Sequence, residues 1–365
     1  MRLQNGTNNF RMKNNNMKKI AIFNHKGGVS KTTTAFNVGW KLAKKGKKVL
    51  LVDADSQCNL SLYSLGNEKF DIFYSSENRN NIKDALEPAF KSKPRLIDAI
   101  DCIQIPNNDN LYLLPGNLDL SECEVQLGLS FQLTDSVGAL ENLPGSFNYL
   151  FEKVASRYDI EYVIIDMNPS LSSINQDLLI TSDYFFVPTS PDIFSYMAIK
   201  SLSRILPNWE RWAKNARLLF KDAEYPLPMN TPKFLGYTIN DYNLSRGKPT
   251  KAFAELMDRI STVISQDLVP NLEKEGMLLS DEKYVTAQKL NKNLKSQHRE
   301  LQKYCIAEIS NFNKLIALSN DRSIPIFELS NIGMQEGQRK TLGWFKALFD
   351  LIADKIILMT SDEKS

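Results

Sequence analysis

Short apolar runs alternate with longer amphipathic stretches along this chain. Residues 18–23 form the first run, and a Gly-containing loop follows it. Residues 32–45 then place Ala35, Val38 and Leu42 at helical spacing, before Gly46, which is a suitable helix stop. Residues 48–52 supply the next apolar run. This strand–helix–strand order predicts a parallel sheet with helical crossovers.

The later part of the chain repeats this alternation. Further strands are predicted at residues 111–114, 162–165, 184–188 and 234–239, with room for helices between them. The fold class expected is therefore α/β, a three-layer arrangement with a mostly parallel central sheet flanked by helices. A strongly apolar helix at residues 339–359 is expected to pack on the sheet.

Two stretches look like additions to this core. Residues 66–110 are polar and have Asn-rich turns, and they are interpreted as small helices and loops inserted on the sheet. Residues 281–319 are interpreted as one or two long helices appended to the core, because Leu290, Leu294, Leu301 and Ile309 form an interrupted apolar stripe. The domain organisation predicted is a disordered extension at 1–16 and a single domain at 17–365, with insertions at about 66–110 and 272–322.

Composition narrows the class of protein. The 365 residues are 42% hydrophobic and 24% charged, which is enough to bury a large core. No apolar run approaches the roughly 18 to 20 residues needed to span a bilayer, so a cytoplasmic protein is expected. The four cysteines are too scattered for a metal or redox motif. With a net charge of only +3, a nucleic-acid surface would require local clustering of basic residues.

The loop after the first strand contains the groups that a triphosphate requires. Glycines allow close approach of backbone N–H donors, a helix begins behind them, a lysine can contact the outer phosphates, and a hydroxyl can ligate Mg²⁺. These positions are Lys26, Gly27, Gly28, Val29, Ser30, Lys31, Thr32 and Thr33. Ser30 stands where the plain GxxxxGK[ST] pattern has glycine.

Two acidic elements strengthen this interpretation. A Gly-Gly turn alone is also an ordinary strand-to-helix connection. Here, however, Asp53 and Asp55 end the second strand, and Asp166 ends the run at 162–165. Carboxylates at the carboxyl ends of parallel strands are well placed to control magnesium and water. Together these elements favour a P-loop nucleotide triphosphatase.

The chain resembles the ParA/MinD family of deviant Walker A ATPases, in particular the ParA (Soj) branch that lacks an N-terminal helix-turn-helix. The resemblance spans most of the chain. It is carried by residues 26–33, 51–57, 113–116, 164–171, 187–189 and 236–240.

The resemblance implies roles for individual residues and ATP with Mg²⁺ as cofactors. Lys26 matches the family's signature lysine, which reaches the phosphates held by a second subunit, and Lys31 matches the general phosphate lysine. Asp55 matches the aspartate that orients the attacking water, and Asp166 matches the carboxylate that acts on Mg²⁺ through water. Asn240 is similar in placement to an asparagine that contacts adenine.

Other positions add to this picture or depart from it. Mg²⁺ is expected near Thr32, Asp55 and Asp166, and Asp53 is expected to support the site from behind. Ser56 replaces the usual proline of Asp-x-Asp-Pro-Gln, and residues 167–168 replace the commoner Thr-Pro. These replacements affect the switch regions more than the chemistry. The resemblance therefore implies a protein that hydrolyses ATP slowly and acts as a molecular switch.

The resemblance also implies a homodimer formed on ATP binding, nonspecific binding to duplex DNA, and a ParB-like or other protein that stimulates hydrolysis. Basic side chains at helical spacing could contact phosphates, although each group could equally be an ordinary solvated face. The candidates are Lys200, Arg204, Arg211, Lys214, Arg246, Lys248, Lys251, Lys289, Lys292 and Arg299. The first stripe continues to Arg217 and Lys221, provided that Pro207 only kinks the helix. No aromatic interleaving of these stripes suggests base stacking, so sequence-specific reading is not expected.

Two alternatives stay open at this stage. One is an ATP-gated adaptor whose target is a protein complex, docking through residues 281–319. The other is a MinD-like membrane switch, which would require a terminal amphipathic helix with a basic polar face. Asp350 and Asp354 in the last helix make core packing the better interpretation of that segment.

Overall fold

The computed structural model describes residues 17–77, 80–132, 140–245, 247–293, 300–329 and 336–362. The strands in these residues are β1 (Lys18–Ile22), β2 (Val49–Ala54), β3 (Ile103–Gln104), β4 (Leu111–Leu114), β5 (Tyr162–Met167), β6 (Tyr184–Thr189), β7 (Lys233–Tyr242), β8 (Leu244–Ser245), β9 (Lys248–Pro249) and β10 (Cys305–Ser310). Eight of them form one sheet in the order β10-β7-β6-β1-β5-β2-β4-β3, and β8 pairs with β9. Only the β3–β4 pair of the large sheet is antiparallel. The predicted mostly parallel sheet is confirmed.

The helices lie on both faces of the sheet. They are α1 (Lys31–Lys44), α2 (Asn59–Leu65), α3 (Asn67–Ser75), α4 (Ile82–Phe90), α5 (Cys123–Gln132), α6 (Ser146–Tyr158), α7 (Ser173–Ile180), α8 (Ile193–Leu219), α9 (Lys251–Val263), α10 (Val269–Lys274), α11 (Asp281–Lys289), α12 (Leu315–Arg322) and α13 (Glu336–Met359). A π-helical turn at Ile264–Leu268 joins α9 to α10. No helix among the described residues is long and apolar enough to cross a membrane.

Both faces of the central strands are buried, which explains their continuous apolar runs. In β1, Ile20 and Ile22 contribute to the core shared with α1 and α13. Ala21 contributes to the opposite core, which is shared with α4 to α10. Two layers of helices therefore enclose the sheet. Crossovers of this kind bring the carboxyl ends of the parallel strands to one edge.

The interpretation of residues 281–319 was only partly correct. Helices α11 and α12 are present, but β10 lies between them and pairs in parallel with β7. Ile309 is therefore a sheet residue and does not belong to a helical stripe. The sequence interpretation assigned this short buried strand to a helix because Ile309 continued the helical spacing of the apolar residues before it. This part of the chain extends the sheet and is not an appendage.

The last helix packs on the sheet, as predicted. Phe345, Leu348 and Ile352 of α13 are at most 1% exposed. On its other side, Asp350 lies 3.1 Å from Lys41 of α1, and Asp354 lies 2.7 Å from Lys45. Because the apolar face of α13 is covered by the protein core, that face is not free to bind a membrane.

Candidate functional site

The phosphate-binding residues predicted from the sequence form the loop between β1 and α1. Gly28 and Ser30 have φ values of 71° and 63°, the left-handed region that a tight loop of this shape uses. The side chain of Ser30 does not cap the start of α1, and the first turn of this helix carries no acidic residue. The amino end of α1 is therefore an electrostatically favourable place for an anion.

Lys31 points into this loop. Its ammonium donates a hydrogen bond to the backbone oxygen of Lys26 at 3.1 Å, and the residue is 7% exposed. Burial lowers the pKa of Lys31, and the nearby charges of Asp166 and Asp55 oppose that shift. A buried cation facing the concave side of the loop suits the outer phosphates of a nucleotide.

The carboxylates come together at the strand ends, as predicted. Asp53 and Asp166 are direct neighbours in the pairing of β2 with β5. Asp166 is fully buried, and burial raises its pKa well above the ordinary range, against the opposing influence of the Thr32 hydroxyl and Lys31. Its two carboxylate oxygens have no hydrogen-bond partner of ordinary geometry within the described residues. A buried carboxylate left in this state is suited to a cation or to cation-bound water.

Thr32 and Asp166 fit a magnesium ion whose remaining ligands are waters and phosphate oxygens. No cluster of three or more His, Cys, Asp or Glu side chains in the described part of the chain could hold a metal. Mg²⁺ at phosphate sites keeps several waters and needs only one or two protein ligands besides phosphate oxygens. Thr32 at the start of α1 and Asp166 provide such a set.

Asp55 and Asp53 differ in environment although they are two residues apart. Asp55 is 7% exposed, and one of its oxygens accepts a hydrogen bond from the backbone of Gln57 at 2.9 Å. Asp53 is completely buried and accepts hydrogen bonds from both the backbone and the hydroxyl of Ser61, each at 2.7 Å. Burial raises the pKa of Asp53 to about 7. Asp55 is therefore the less enclosed of the two carboxylates.

The side chain of Lys26 reaches from the loop to the residue that precedes α8. Its ammonium lies 3.0 Å from the carboxylate of Asp192, the residue that precedes α8. The side chain of Lys26 is 19% exposed. The two lysines of the loop thus face in different directions, with Lys31 inward and Lys26 toward the amino end of α8.

Asn240 lies at the carboxyl end of β7 beside the loop. Its side-chain nitrogen donates a hydrogen bond to the backbone oxygen of Val29 at 2.9 Å. A small cleft is lined by Ser30, Thr33, Thr34, Asn240, Asp241, Ile309, Ser310, Asn311, Phe312 and Phe349. The predicted contact of Asn240 with a base stays a prediction. The lining residues from β10 onward were missed because that strand was not recognised, although the buried run 305–309 was a usable signal.

The basic residues predicted to contact DNA lie on several different elements of the structure. Lys200 and Arg204 are exposed on α8, which continues through Pro207. Arg211 and Lys214 both pair with Glu275. Lys248, Lys251, Lys289 and Lys292 are exposed on other elements, whereas Arg246 and Arg299 lie outside the described residues.

One member of the first stripe is not on the surface. Arg217 is 4% exposed and forms an ion pair with Glu210 at 2.7 Å. Its place on the helix face was inferred from spacing alone, which did not reveal the buried acidic partner. It therefore stabilises the interior and is not available to a ligand.

An aromatic side chain lies among the basic residues. The Tyr196 ring lies 5.4 Å from the Lys200 ammonium and 4.9 Å from the Arg259 guanidinium. Lys200 is on α8 and Arg259 is on α9, so the packing of these helices creates the cluster. The i, i+4 spacing of Tyr196 and Lys200 is visible in the sequence, whereas the approach of Arg259 depends on the packing of α9 against α8.

Comparisons with known proteins agree with this architecture. Residues 17–218 match a family model described as an AAA domain. The chromosome partitioning protein ParA of Caulobacter vibrioides is 31% identical over 211 residues, which are 57% of this chain and 68% of that protein. The sporulation initiation inhibitor protein Soj of Bacillus subtilis is 34% identical over 189 residues, which are 52% of this chain and 63% of that protein.

A solved structure extends the similarity of fold over nearly the whole chain. An ATP complex of Cyanothece McdA aligns with a TM-score of 0.59 at 18% identity, covering 96% of this chain and 99% of that one. The fold therefore includes the carboxyl-terminal elements, which lie beyond the matched family model.

Proposed function

This chain belongs to the ParA/MinD family of P-loop ATPases, and we propose that it is an ATP-dependent dimerising switch that binds duplex DNA without sequence preference and releases it on hydrolysis. In this proposal it acts in DNA partition or in the positioning of another cargo. The name of the Caulobacter relative, a chromosome partitioning protein, supports a role of this kind.

The different partners of the two loop lysines carry the proposal. Lys31 can neutralise phosphates bound in its own loop, whereas Lys26 is paired with Asp192 and remains partly exposed. Exposed apolar side chains accompany it, because Phe194 and Met197 at the start of α8 are 67% and 59% exposed. A second copy of the chain would cover this apolar surface and place a second lysine near the phosphates.

Each polar group then has a distinct task in slow, magnesium-dependent hydrolysis. Bound Mg²⁺ would neutralise phosphate charge, held by the Thr32 hydroxyl and, through water, by Asp166. Lys31 binds the outer phosphates, and Lys26 adds positive charge from the second copy. Asp55, the less enclosed carboxylate that directly follows β2, orients the attacking water. Because Lys26 acts only in the dimer, hydrolysis follows assembly.

Duplex DNA is the proposed partner of the surface formed by α8 and α9. Lys200, Arg204 and Arg259 are exposed there, and the β8–β9 hairpin that leads into α9 carries Lys248. Contacts of this kind to phosphates are independent of sequence. Two copies would double the number of contacts, so modest charge on each is sufficient. Association with the nucleoid and release by a stimulating protein partner follow from the same proposal.

DNA binding measured with ATP, with ADP and without nucleotide tests the proposal most directly. A gel shift on duplexes of unrelated sequence should appear only with ATP and should coincide with dimer formation in light scattering. Dimerisation without any DNA binding would instead support an ATP-gated adaptor that acts on a protein complex. Absence of both dimerisation and hydrolysis in the presence of ATP would contradict the switch itself.

A further inference from the structure

The buried carboxylate of Asp53 forms hydrogen bonds at both ends of the segment that carries Asp55. Asp53 lies near the end of β2, and Ser61 lies in α2. One oxygen of Asp53 accepts hydrogen bonds from the backbone N–H and the hydroxyl of Ser61, each at 2.7 Å. The other oxygen accepts a hydrogen bond from the backbone N–H of Asp55 at 3.4 Å. The chain therefore leaves Asp53, passes through Asp55 and returns to the same carboxylate at Ser61.

The hydrogen bonds continue from Ser61 to another part of the chain. The backbone N–H of Gly116, which follows β4, donates to the Ser61 hydroxyl at 3.0 Å. The Gly116 carbonyl accepts a hydrogen bond from the Tyr74 hydroxyl at 2.9 Å. A Cβ at position 116 would lie 3.0 Å from the sulfur of Cys58 and 3.1 Å from Cγ of Asp53. Only glycine allows this close approach without displacing the buried groups.

Tyr74 connects this chain of hydrogen bonds to a segment that the proposed function does not otherwise use. It lies on α3, within the polar stretch 66–110 that the sequence marks as an insertion. The exposed face of α3 includes Ile72, which is 64% exposed, whereas Phe73 packs inward at 8%. A displacement of α3 would therefore be transmitted to Asp53 through the hydrogen bonds that link Tyr74, Gly116 and Ser61.

We propose that Asp53, Ser61 and Tyr74 are positioning residues for Asp55, and that α3 thereby influences the rate of ATP hydrolysis. This inference rests on the proposed function, because Asp55 is the group being positioned. A displacement of about 1 Å in a catalytic group can cost roughly 100-fold in rate. Hydrogen bonds at both ends of a short segment are a direct means of preventing such a displacement.

Single substitutions test the network, and α2 offers matched controls. Asp53→Asn, Ser61→Ala and Tyr74→Phe each remove one link. Ser64→Ala is the control for Ser61, because Ser64 is fully buried on the same helix and its hydroxyl has no partner within the described residues. Tyr63→Phe, at a half-buried tyrosine of α2, is the control for Tyr74.

The expected result is a loss of turnover with ATP affinity retained. Asp53→Asn should lower kcat by roughly 10- to 100-fold, and Ser61→Ala should lower it by about 3- to 10-fold. Tyr74→Phe should give a smaller fall in the same direction. Both controls should turn over ATP like the parent. A rise in KM with unchanged kcat would overturn the proposal, since it would show that the network serves binding.

A double substitution separates positioning from a merely structural role. Residues that act through Asp55 should have no further effect on kcat once Asp55 has been replaced by alanine. A further large fall in the Asp53→Asn, Asp55→Ala double variant would contradict action through Asp55. Asp55→Ala also serves as the reference for the size of the effect.

Amide hydrogen exchange provides a second readout that does not depend on catalysis. In Asp53→Asn, the amides of residues 55–61 should exchange faster than in the parent, whereas Ser64→Ala should leave them protected. Unchanged protection in Asp53→Asn would overturn the positioning role even if turnover fell. Absence of hydrolysis by the parent would instead overturn the proposed function, so the two failures are distinguishable.

Discussion

The ammonium of Lys26 forms an ion pair with the carboxylate of Asp192 at 3.0 Å. The other oxygen of Asp192 accepts a hydrogen bond from the backbone N–H of Ser195 at 2.9 Å, so Asp192 also caps α8. Lys26 is thereby held against its own chain. Any contact of Lys26 with a second copy must compete with this pair.

Replacing Asp192 with asparagine should make dimerisation easier. Asparagine caps a helix as well as aspartate does, so α8 should keep its stability, while Lys26 loses its partner. A partly exposed ion pair contributes up to about 1 kcal/mol, and each dimer releases two of them, so the ATP-dependent dimer should form at up to about 30-fold lower protein concentration. Sedimentation or light scattering across a dilution series with ATP measures this. A weaker dimer would show that Asp192 supports assembly.

Lys26→Ala should separate nucleotide binding from assembly. The variant should still bind ATP appreciably, because Lys31 and the loop backbone are unchanged. ATP-dependent dimerisation, hydrolysis and DNA binding should all be lost, and residual DNA binding should depend less steeply on salt because fewer phosphates are contacted. Light scattering and DNA binding across a salt series provide the measurement. A Lys26→Ala chain that dimerises and binds DNA like the parent would rule out the proposed role in a second copy.

Lys31→Ala should abolish nucleotide binding. The loop then loses the buried cation that faces the outer phosphates, and a charge-assisted contact of this kind is roughly twice as strong as a neutral one. Calorimetry with ATP and Mg²⁺ is the direct measurement. Retained tight affinity would mean that the phosphates bind elsewhere.

Asp55→Ala should trap the ATP form. Binding should persist while hydrolysis falls by roughly 100-fold or more, and the dimer should accumulate because the step that separates it is slow. Phosphate release and light scattering with ATP report the two effects. Turnover equal to that of the parent would remove Asp55 from the role of orienting water.

Lys355 should contribute a pH-dependent term to stability. This side chain of α13 is 1% exposed and donates a hydrogen bond to the Ile306 carbonyl at 2.6 Å. Burial lowers its pKa to about 8, against about 10.4 in an unfolded chain. The folded state therefore disfavours the charged form, so the penalty is complete below pH 8 and fades as pH rises toward 10.4.

The matched experiment compares the parent with Lys355→Met, which has similar length and no charge. The free energy of unfolding of the parent relative to the variant should rise between pH 8 and 10 by about 1.4 kcal/mol per pH unit at most. Denaturant unfolding at several pH values measures this difference. A difference that stays constant with pH would show that Lys355 titrates normally in the folded chain.

Much of the fold and site could be predicted because it depends on local patterns. The apolar runs of β1, β2, β4, β5, β6 and β7 predicted their strands, since parallel strands buried on both faces need continuous apolar residues. The residue pattern at 26–33 predicted a loop of phosphate-binding shape, because glycines followed by a helix are typical of such loops. Asp53 and Asp166 could be placed at one edge because parallel strands end together.

Contacts between residues distant in the chain were decided by tertiary packing alone. The edge strand β10 resembled a helix until its pairing with β7 determined its conformation, since short apolar runs are compatible with either. The partner of Lys26 was decided by the position of α8, and the burial of Arg217 by Glu210. Tyr74 meets Gly116 only because α3 folds back over the strand ends. Side-chain partners of this kind depend on angles and distances between elements, which residue spacing along one element does not contain.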